Sequence, residues 1–248
     1  LGSFLGLTAI IFALRRHLKN IFKNFNGKLI KQIVATAWPF GLLGLMGVIM
    51  LNTDIIMLGW LRSPQEVGYY AAAQKIIQLL YVLPALLAVS TFPAMAKLIG
   101  SDRRAVKNLL ERSVALVILV SIPIAILGIA LANQIIALFF GSEYLPAISA
   151  FRILMATVLI VYPSSLIGHA IFAYDEQKNF VAFVLVAALG NVFFNFLLIP
   201  KFGIEGAAMA TIITQIITNW LIWRKMKAIN KMAVWPQIKK YLGFSLNN

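Results

Sequence analysis

The sequence predicts an all-α, polytopic transmembrane helical bundle, because of its composition and the length of its apolar runs. Of the 248 residues, 61% are apolar and 12% are charged, whereas soluble domains average about 45–50% and about 25%. So much apolar surface cannot be covered by the polar residues available, so part of it must face lipid. Most of the runs reach the roughly 20 residues with which a helix crosses hydrocarbon. The composition therefore excludes a domain whose only solvent is water.

Six complete spans are predicted. In chain order they are approximately Ile33 to Leu61, Val67 to Ile99, Leu109 to Leu131, Pro146 to Ala173, Phe180 to Ile199 and Ile204 to Trp223. The net charge is +14, and the basic residues lie in short stretches between the spans, a pattern typical of cytoplasmic loops and unlike a nucleic-acid groove. Loops rich and poor in Lys and Arg alternate. The positive-inside rule therefore places the short loops at Arg62, Glu143 and Lys201 on the outer side.

Catalytic and metal-binding patterns are not found in the sequence. It has no cysteine, which excludes disulfides, zinc-thiolate sites and thiol nucleophiles. We find no paired acids on facing spans, no histidine cluster, no phosphate-binding glycine loop and no large outer loop. We therefore expect no enzyme activity, no catalytic residue, no metal and no cofactor, and transport is the remaining class of function.

Few ionisable residues lie inside predicted spans, where burial costs at least about 2.5–3.5 kcal/mol each, and three of them share one depth. Asp54, Lys75 and Arg152 all fall about 10–14 Å beneath the outer loops at about 1.5 Å per residue. Asp54 and Lys75 are expected to form an ion pair, either to lock two helices or as part of a site. Arg152 then either faces a cavity, where it attracts an anion, or extends to the outer headgroups.

Uncharged polar residues add to this layer. Gln78 lies three residues beyond Lys75, on the same helical face, and Asn191 and Asn195 lie four apart on another span. Such spacings put side chains on one face of a helix. We predict that these three residues, together with Arg152 and Lys75, bind substrate in a cavity, and that Asp54 and Lys75 form a coupling or structural ion pair.

Two segments resemble a known family. The run NTDIIMLG at 52–59, followed by EVGYYAAAQKI at 66–76, resembles a helix pair of the polysaccharide flippases of the MOP exporter superfamily. LGN at 189–191, leading through Asn195 to LIPKFGIEGAA at 198–208, resembles the late helix pair of that family, and Phe92-Pro93 also fits. The resemblance covers approximately residues 33–227.

The resemblance implies one six-helix lobe of a two-lobe MOP/MATE-like transporter that moves a polyprenyl-pyrophosphate-linked oligosaccharide outward across the cell membrane. Residues 1–14 are then the end of the last helix of a missing N-terminal lobe and 15–32 a basic cytoplasmic linker. Residues 33–227 are the second lobe, and 228–248 a cytoplasmic segment and the start of a further helix. The expected partners are a lipid-linked anionic oligosaccharide, membrane lipids and the first lobe, with no nucleic acid.

The resemblance also suggests roles for the polar layer. Arg152 and Lys75 would hold the pyrophosphate or acidic sugars, and Asp54 would orient Lys75 or take part in cation coupling. Other functions stay open: a peptidoglycan-precursor flippase, a drug/cation antiporter of the MATE type, or a membrane-embedded polysaccharide polymerase or ligase. One acid against two bases in the spans disfavours the antiporter, and the short outer loops disfavour the enzyme.

Overall fold

The computed structural model describes residue 8 and residues 27–243. The chain forms two compact units, residues 1–41 and 42–248. Apart from Thr8, the predicted segment 1–14 and the first part of the predicted linker, 15–26, lie outside the described residues, as does the end of the tail, 244–248. The described part of the chain is helical and contains no strand.

Eight α-helices and one 3-10 helix make up the described part. They are α1 (Gly27–Leu61), α2 (Pro64–Ile99), α3 (Arg103–Ala130), α4 (Ala132–Phe140), the 3-10 helix Ser142–Ala147, α5 (Ile148–Met155), α6 (Thr157–Ala173), α7 (Gln177–Asn230) and α8 (Trp235–Tyr241). Helix α1 begins at Gly27, inside the predicted linker. Its start shows that the linker sequence 27–32 is helical.

Helix α7 is a hairpin of two antiparallel arms. Gly203 has φ 57° and ψ −130°, which is not a helical conformation. A Cβ added at Gly206 would lie 2.3 Å from the carbonyl oxygen of Leu198, and one added at Gly190 would lie 3.8 Å from Cγ2 of Thr214. In a straight helix, residues as far apart in sequence as Gly190 and Thr214 would be separated by about 36 Å. The arms, residues 177–202 and 204–230, therefore run side by side.

Within residues 27–243 the hairpin brings the number of candidate membrane crossings to six. Four helices are long and apolar enough to cross, namely Ala37–Leu61 of α1, and α2, α3 and α7, and the pair Ser142–Met155 with Thr157–Ala173 makes a fifth, bent span. Each arm of α7 alone exceeds the roughly 20 residues that a span needs. Counting the two arms separately gives the six crossings that the sequence predicts.

Two local features differ from the prediction. Helix α4 was not predicted, because its nine residues are too few to span. The fourth span is bent by 44° between α5 and α6, where the sequence suggested one continuous helix. At the bend the Thr157 hydroxyl donates to the Leu154 carbonyl, and a side chain that takes a backbone acceptor in this way weakens the helical hydrogen-bond ladder.

Helix α6 lies at the centre of the bundle and packs against α2, α3 and α7. Its side chains Tyr162, Leu166 and Ile167 are almost completely buried. On the outside of the bundle, by contrast, large apolar side chains are exposed, for example Trp60 at 80% and Leu138 at 81%. An apolar exterior around a packed interior is the distribution that a lipid solvent favours.

The loops predicted to face outward lie together at one end of the bundle. Arg62 Nη2 donates to the Ile199 carbonyl at 2.8 Å, which joins the first outer loop to the α7 hairpin. Tyr69 packs edge-on against Tyr144, with ring centroids 5.9 Å apart. The second outer loop, at Glu143, thus meets the start of α2.

The segments predicted to be cytoplasmic also lie together. Lys225 Nζ lies 3.2 Å from Glu176 Oε2, so the end of α7 meets the α6–α7 connection. The buried Glu111 of α3 accepts a hydrogen bond from the Ala233 amide at 2.7 Å. The grouping of both sets of loops agrees with the alternation of charge along the sequence.

Candidate functional site

A buried carboxylate bound by four neutral donors forms the centre of the candidate site. Asp54 of α1 is 3% exposed. Its Oδ2 accepts hydrogen bonds from Tyr70 Oη and Thr211 Oγ1, both at 2.6 Å. Its Oδ1 accepts from Asn195 Nδ2 at 2.6 Å and Asn191 Nδ2 at 3.1 Å. Hydrogen bonds to an ionised acceptor are short and strong, so this arrangement suits a charged carboxylate.

Two turns of the chain bring these residues to one depth. Asp54 lies eight residues before Arg62 and Tyr70 eight residues after it; Asn195 lies eight before Gly203 and Thr211 eight after it. Eight helical residues rise about 12 Å. The two residues of each pair, Asp54 with Tyr70 and Asn195 with Thr211, therefore lie at the same depth, about 12 Å below the outer end.

Arg62 joins the two turns. Its Nε and Nη2 donate to the Ile199 carbonyl at 3.0 and 2.8 Å, and Nη2 also donates to the Pro200 carbonyl at 2.9 Å. A guanidinium can make several such bonds at fixed angles. The depth of Asp54 relative to the α7 arms is thus fixed from the outer end.

A cavity of about 290 Å³ opens beside the carboxylate. Met50, Ile77 and Leu154 contribute apolar walls, while Gln74 and Gln78 add polar groups. A mostly apolar wall with a few polar groups is typical of a small-ligand site. Gln78 and Asn191 line this cavity, and their role in substrate binding stays a prediction.

Two buried oxygens near Asp54 accept no hydrogen bond within the described part of the chain. They are Oδ1 of Asn195 and Oε1 of Gln215. The Gln215 side chain lines the cavity, and its Nε2 donates to Tyr81 Oη at 3.5 Å. A carboxylate and two unpaired oxygens in one region attract a proton or a cation with oxygen ligands.

The expected ion pair between Asp54 and Lys75 is not found in the structure. Among the described residues the ion pairs are Lys107 with Glu111 and Lys225 with Glu176. Lys75 is exposed, and its neighbour Gln74 faces α1, where Nε2 donates to the Leu51 carbonyl at 3.1 Å. One residue turns a helix by about 100°, which directs Lys75 away from Asp54.

Arg152 is also exposed and does not line the Asp54 cavity. Its Nη2 lies 3.4 Å from Oδ1 of Asn133 on α4. One turn earlier, Ser149 bonds to Glu205, which lies two residues past the α7 turn. Arg152 is therefore nearer the outer end than Asp54, and the roles of Arg152 and Lys75 in binding an anion stay predictions.

Sequence reasoning missed Tyr70 and Thr211. Both signals were available, because Tyr70 belongs to the quoted run at 66–76 and Thr211 follows the Pro200–Gly203 turn. Pairing residues at equal distances from each turn would have found them. It would also have shown that neutral donors, and not Lys75, surround Asp54.

Comparison with known proteins shows which family the chain belongs to. A family model described as polysaccharide biosynthesis protein matches residues 2–149. A probable flippase, AglR, from Haloferax volcanii is 28% identical over 183 residues, which are 72% of this chain and 38% of that protein. A putative O-antigen transporter from Shigella flexneri is 22% identical over 183 residues, which are 71% of this chain and 43% of that protein.

A solved structure of MATE in the straight conformation has the same fold. It superposes with a TM-score of 0.71 at 21% identity, over 82% of this chain and 46% of that one. The chain thus spans less than half the length of these proteins. Its apolar helices and its relatives identify a multi-pass membrane protein. Because the family model matches more than half of the residues, the chain belongs to the polysaccharide biosynthesis protein family.

Proposed function

We propose that this chain is one half of a flippase that moves a lipid-linked anionic oligosaccharide outward across the cell membrane by alternating access. The names of the relatives support a flippase or an O-antigen transporter. The six crossings and the share of each relative that is covered support one lobe of two. In such a transporter the binding site lies at the interface between the halves, and one half moves against the other.

The observation that supports a coupled transporter best is the buried Asp54 carboxylate. Its donors come from α2 and from both arms of α7, so its charge holds three segments together. Binding of a proton or a monovalent cation would weaken or replace these hydrogen bonds. A ligand shifts a conformational equilibrium by its difference in affinity for the two states. Asp54 is therefore the proposed coupling site.

Substrate binding is assigned to groups that are accessible on this chain. Lys75 and Arg152 are exposed, and cations of this kind hold phosphate oxygens by charge-assisted hydrogen bonds. In the proposed transporter they would meet the pyrophosphate or acidic sugars in the cavity between the two halves. Gln78 and Asn191 would supply further hydrogen bonds from the wall of the Asp54 cavity.

The test is complementation of a strain from which the gene is deleted. The Asp54→Asn variant keeps a side chain of the same size and removes the charge, and Glu143→Gln is the matched control because Glu143 is exposed in an outer loop. We expect Asp54→Asn to insert normally, to reduce surface polysaccharide at least tenfold and to leave the lipid-linked saccharide on the inner leaflet. Glu143→Gln should restore export.

A second pair of variants tests anion binding. Lys75→Gln and Arg152→Gln should each reduce export, whereas Lys201→Gln, a matched change at another exposed base, should not.

Export at the native rate by Asp54→Asn would exclude Asp54 from coupling. Accumulation of a peptidoglycan precursor, or sensitivity to a cationic drug in place of the polysaccharide defect, would identify one of the alternative transporters.

A further inference from the structure

A second cavity, of about 370 Å³, lies at the inner end of the bundle. It is formed where three separate segments meet: the start of α3, the α6–α7 connection and the end of α7. Helix α3 contributes Arg103, Arg104 and Lys107, and Ile229 supplies an apolar wall. None of these residues belongs to the Asp54 site.

The lining of this cavity carries a positive net charge. Three of its residues are cationic and one, Glu176, is acidic. Glu176 already pairs with Lys225 at 3.2 Å and accepts a hydrogen bond from Asn179, so its charge is offset by neighbours. Lys107 lies 3.7 Å from Glu111, a long contact that leaves much of its charge available. An anion is the ligand that such a wall attracts.

Buried polar groups in the same wall have no hydrogen-bond partner in the described ranges of the chain. They are Oη of Tyr174 and both amide atoms, Nδ2 and Oδ1, of Asn230. Leaving such groups unpaired costs about 1–3 kcal/mol each. The phenol and the amide nitrogen are donors, and phosphate oxygens are acceptors. A phosphate beside them would therefore add partners that the protein itself does not supply.

The start of α3 is not what attracts the anion. Asp102 Oδ1 already accepts from the Arg104 and Ala105 amides at 2.9 and 3.0 Å, so the first amides of the helix are capped. The side chains of the two arginines line the cavity and are exposed. Guanidinium groups bind phosphate through paired hydrogen bonds.

The position of the cavity indicates the source of the phosphate. Trp223 lies six residues before Ile229 on the same arm, or about 9 Å along the helix. Arg224 lies over the ring of Trp220, 5.4 Å from its centroid. Indoles concentrate at the level of the lipid headgroups, and basic pockets between helices on the cytoplasmic side bind anionic headgroups. The cavity thus lies about 9 Å along the helix from this level, within reach of headgroups of the inner leaflet.

We propose that this cavity binds the phosphate headgroup of an anionic phospholipid from the inner leaflet. The bound phosphate contacts the start of α3, the α6–α7 connection and the end of α7. It thereby stabilises the inner end of the bundle. This site is independent of the cargo and of the coupling ion. Its ligand is a resident lipid, and its effect is on stability.

The test measures binding of short-chain lipids to the detergent-purified chain by native mass spectrometry and by the shift in melting temperature. The probes are dioctanoyl phosphatidic acid, dioctanoyl phosphatidylglycerol, dioctanoyl phosphatidylcholine and inorganic phosphate. Both anionic lipids should bind and raise the melting temperature, whereas phosphatidylcholine should not. The double variant Arg103→Gln/Arg104→Gln should lose at least tenfold in affinity; both side chains are exposed, so folding should be retained.

The matched control is Lys239→Gln/Lys240→Gln, which removes the same charge from another basic stretch of the chain. It should change the affinity less than twofold, and Tyr174→Phe should weaken binding without altering the net charge. Equal losses in the two double variants would overturn the proposal in favour of diffuse attraction. Equal binding of inorganic phosphate, or of phosphatidylcholine, would overturn the assignment to an anionic lipid.

Discussion

Replacing Gly203 with alanine tests the hairpin on which the Asp54 site depends. Gly203 has φ 57° and ψ −130°, a region that side-chain-bearing residues occupy at a cost of about 1–3 kcal/mol. The added Cβ would also lie 2.9 Å from Glu66 Oε1. Moving Oε1 aside would disturb the same carboxylate, whose Oε2 accepts from the Ser63 amide at 3.3 Å in the capping box, and caps contribute about 0.5–2 kcal/mol.

Together these effects predict that Gly203→Ala destabilises the chain by about 1.5–5 kcal/mol. Gly68→Ala is the matched control. Gly68 lies within α2, and a Cβ added there would meet nothing within 4 Å. That change should be neutral or should stabilise the chain by up to about 1 kcal/mol.

The measurement is reversible unfolding in mixed micelles as the fraction of dodecyl sulfate rises, followed by the fluorescence of the five tryptophans. Combining Gly203→Ala with Glu66→Ala separates the two causes. If the contact matters, the double variant is more stable than the sum of the single effects predicts, while the backbone strain remains. Equal stability of Gly203→Ala and Gly68→Ala would refute the hairpin geometry.

Three further predictions use the same chain. Asp54→Ala leaves four donors unpaired and should lower the free energy of unfolding by at least about 4 kcal/mol. Asp54→Asn, whose oxygen still accepts from the two amides, should lower it by about 1–2 kcal/mol. Equal losses for the two variants in the unfolding assay would argue against the hydrogen-bond network around Asp54. Arg62→Ala should lower the free energy of unfolding by about 1–3 kcal/mol, and Arg62→Lys by only part of that, because an ammonium group cannot make all the hydrogen bonds that the planar guanidinium makes. An unchanged unfolding midpoint for Arg62→Ala would show that its hydrogen bonds to the α7 hairpin do not stabilise the chain. Because the chain has no cysteine, an impermeant thiol reagent applied to intact cells should label Ser63→Cys and Ser142→Cys but not Ser101→Cys; labelling of all three would disprove the orientation.

The sequence alone showed that lipid surrounds much of this protein and that residues 33–223 contain six apolar spans. Hydropathy and loop charge are local properties, so residues 33–61 or 204–223 reveal a span without any knowledge of their neighbours. The same local reasoning drew attention to Asp54, Asn191 and Asn195, because a polar group inside an apolar run has to find a partner. The structure then brought these three side chains into direct contact.

Tertiary structure decided which partners meet. Counting residues from a loop gives the depth of a side chain, and depth alone suggested Lys75 as the partner of Asp54. The direction in which a side chain points around its helix is a separate coordinate, and it changes by about 100° from Gln74 to Lys75. Contacts of α1 with α2 and with the α7 hairpin set the direction in which each side chain points. Tyr70 and Thr211 bind Asp54 because they lie at its depth and also face its carboxylate.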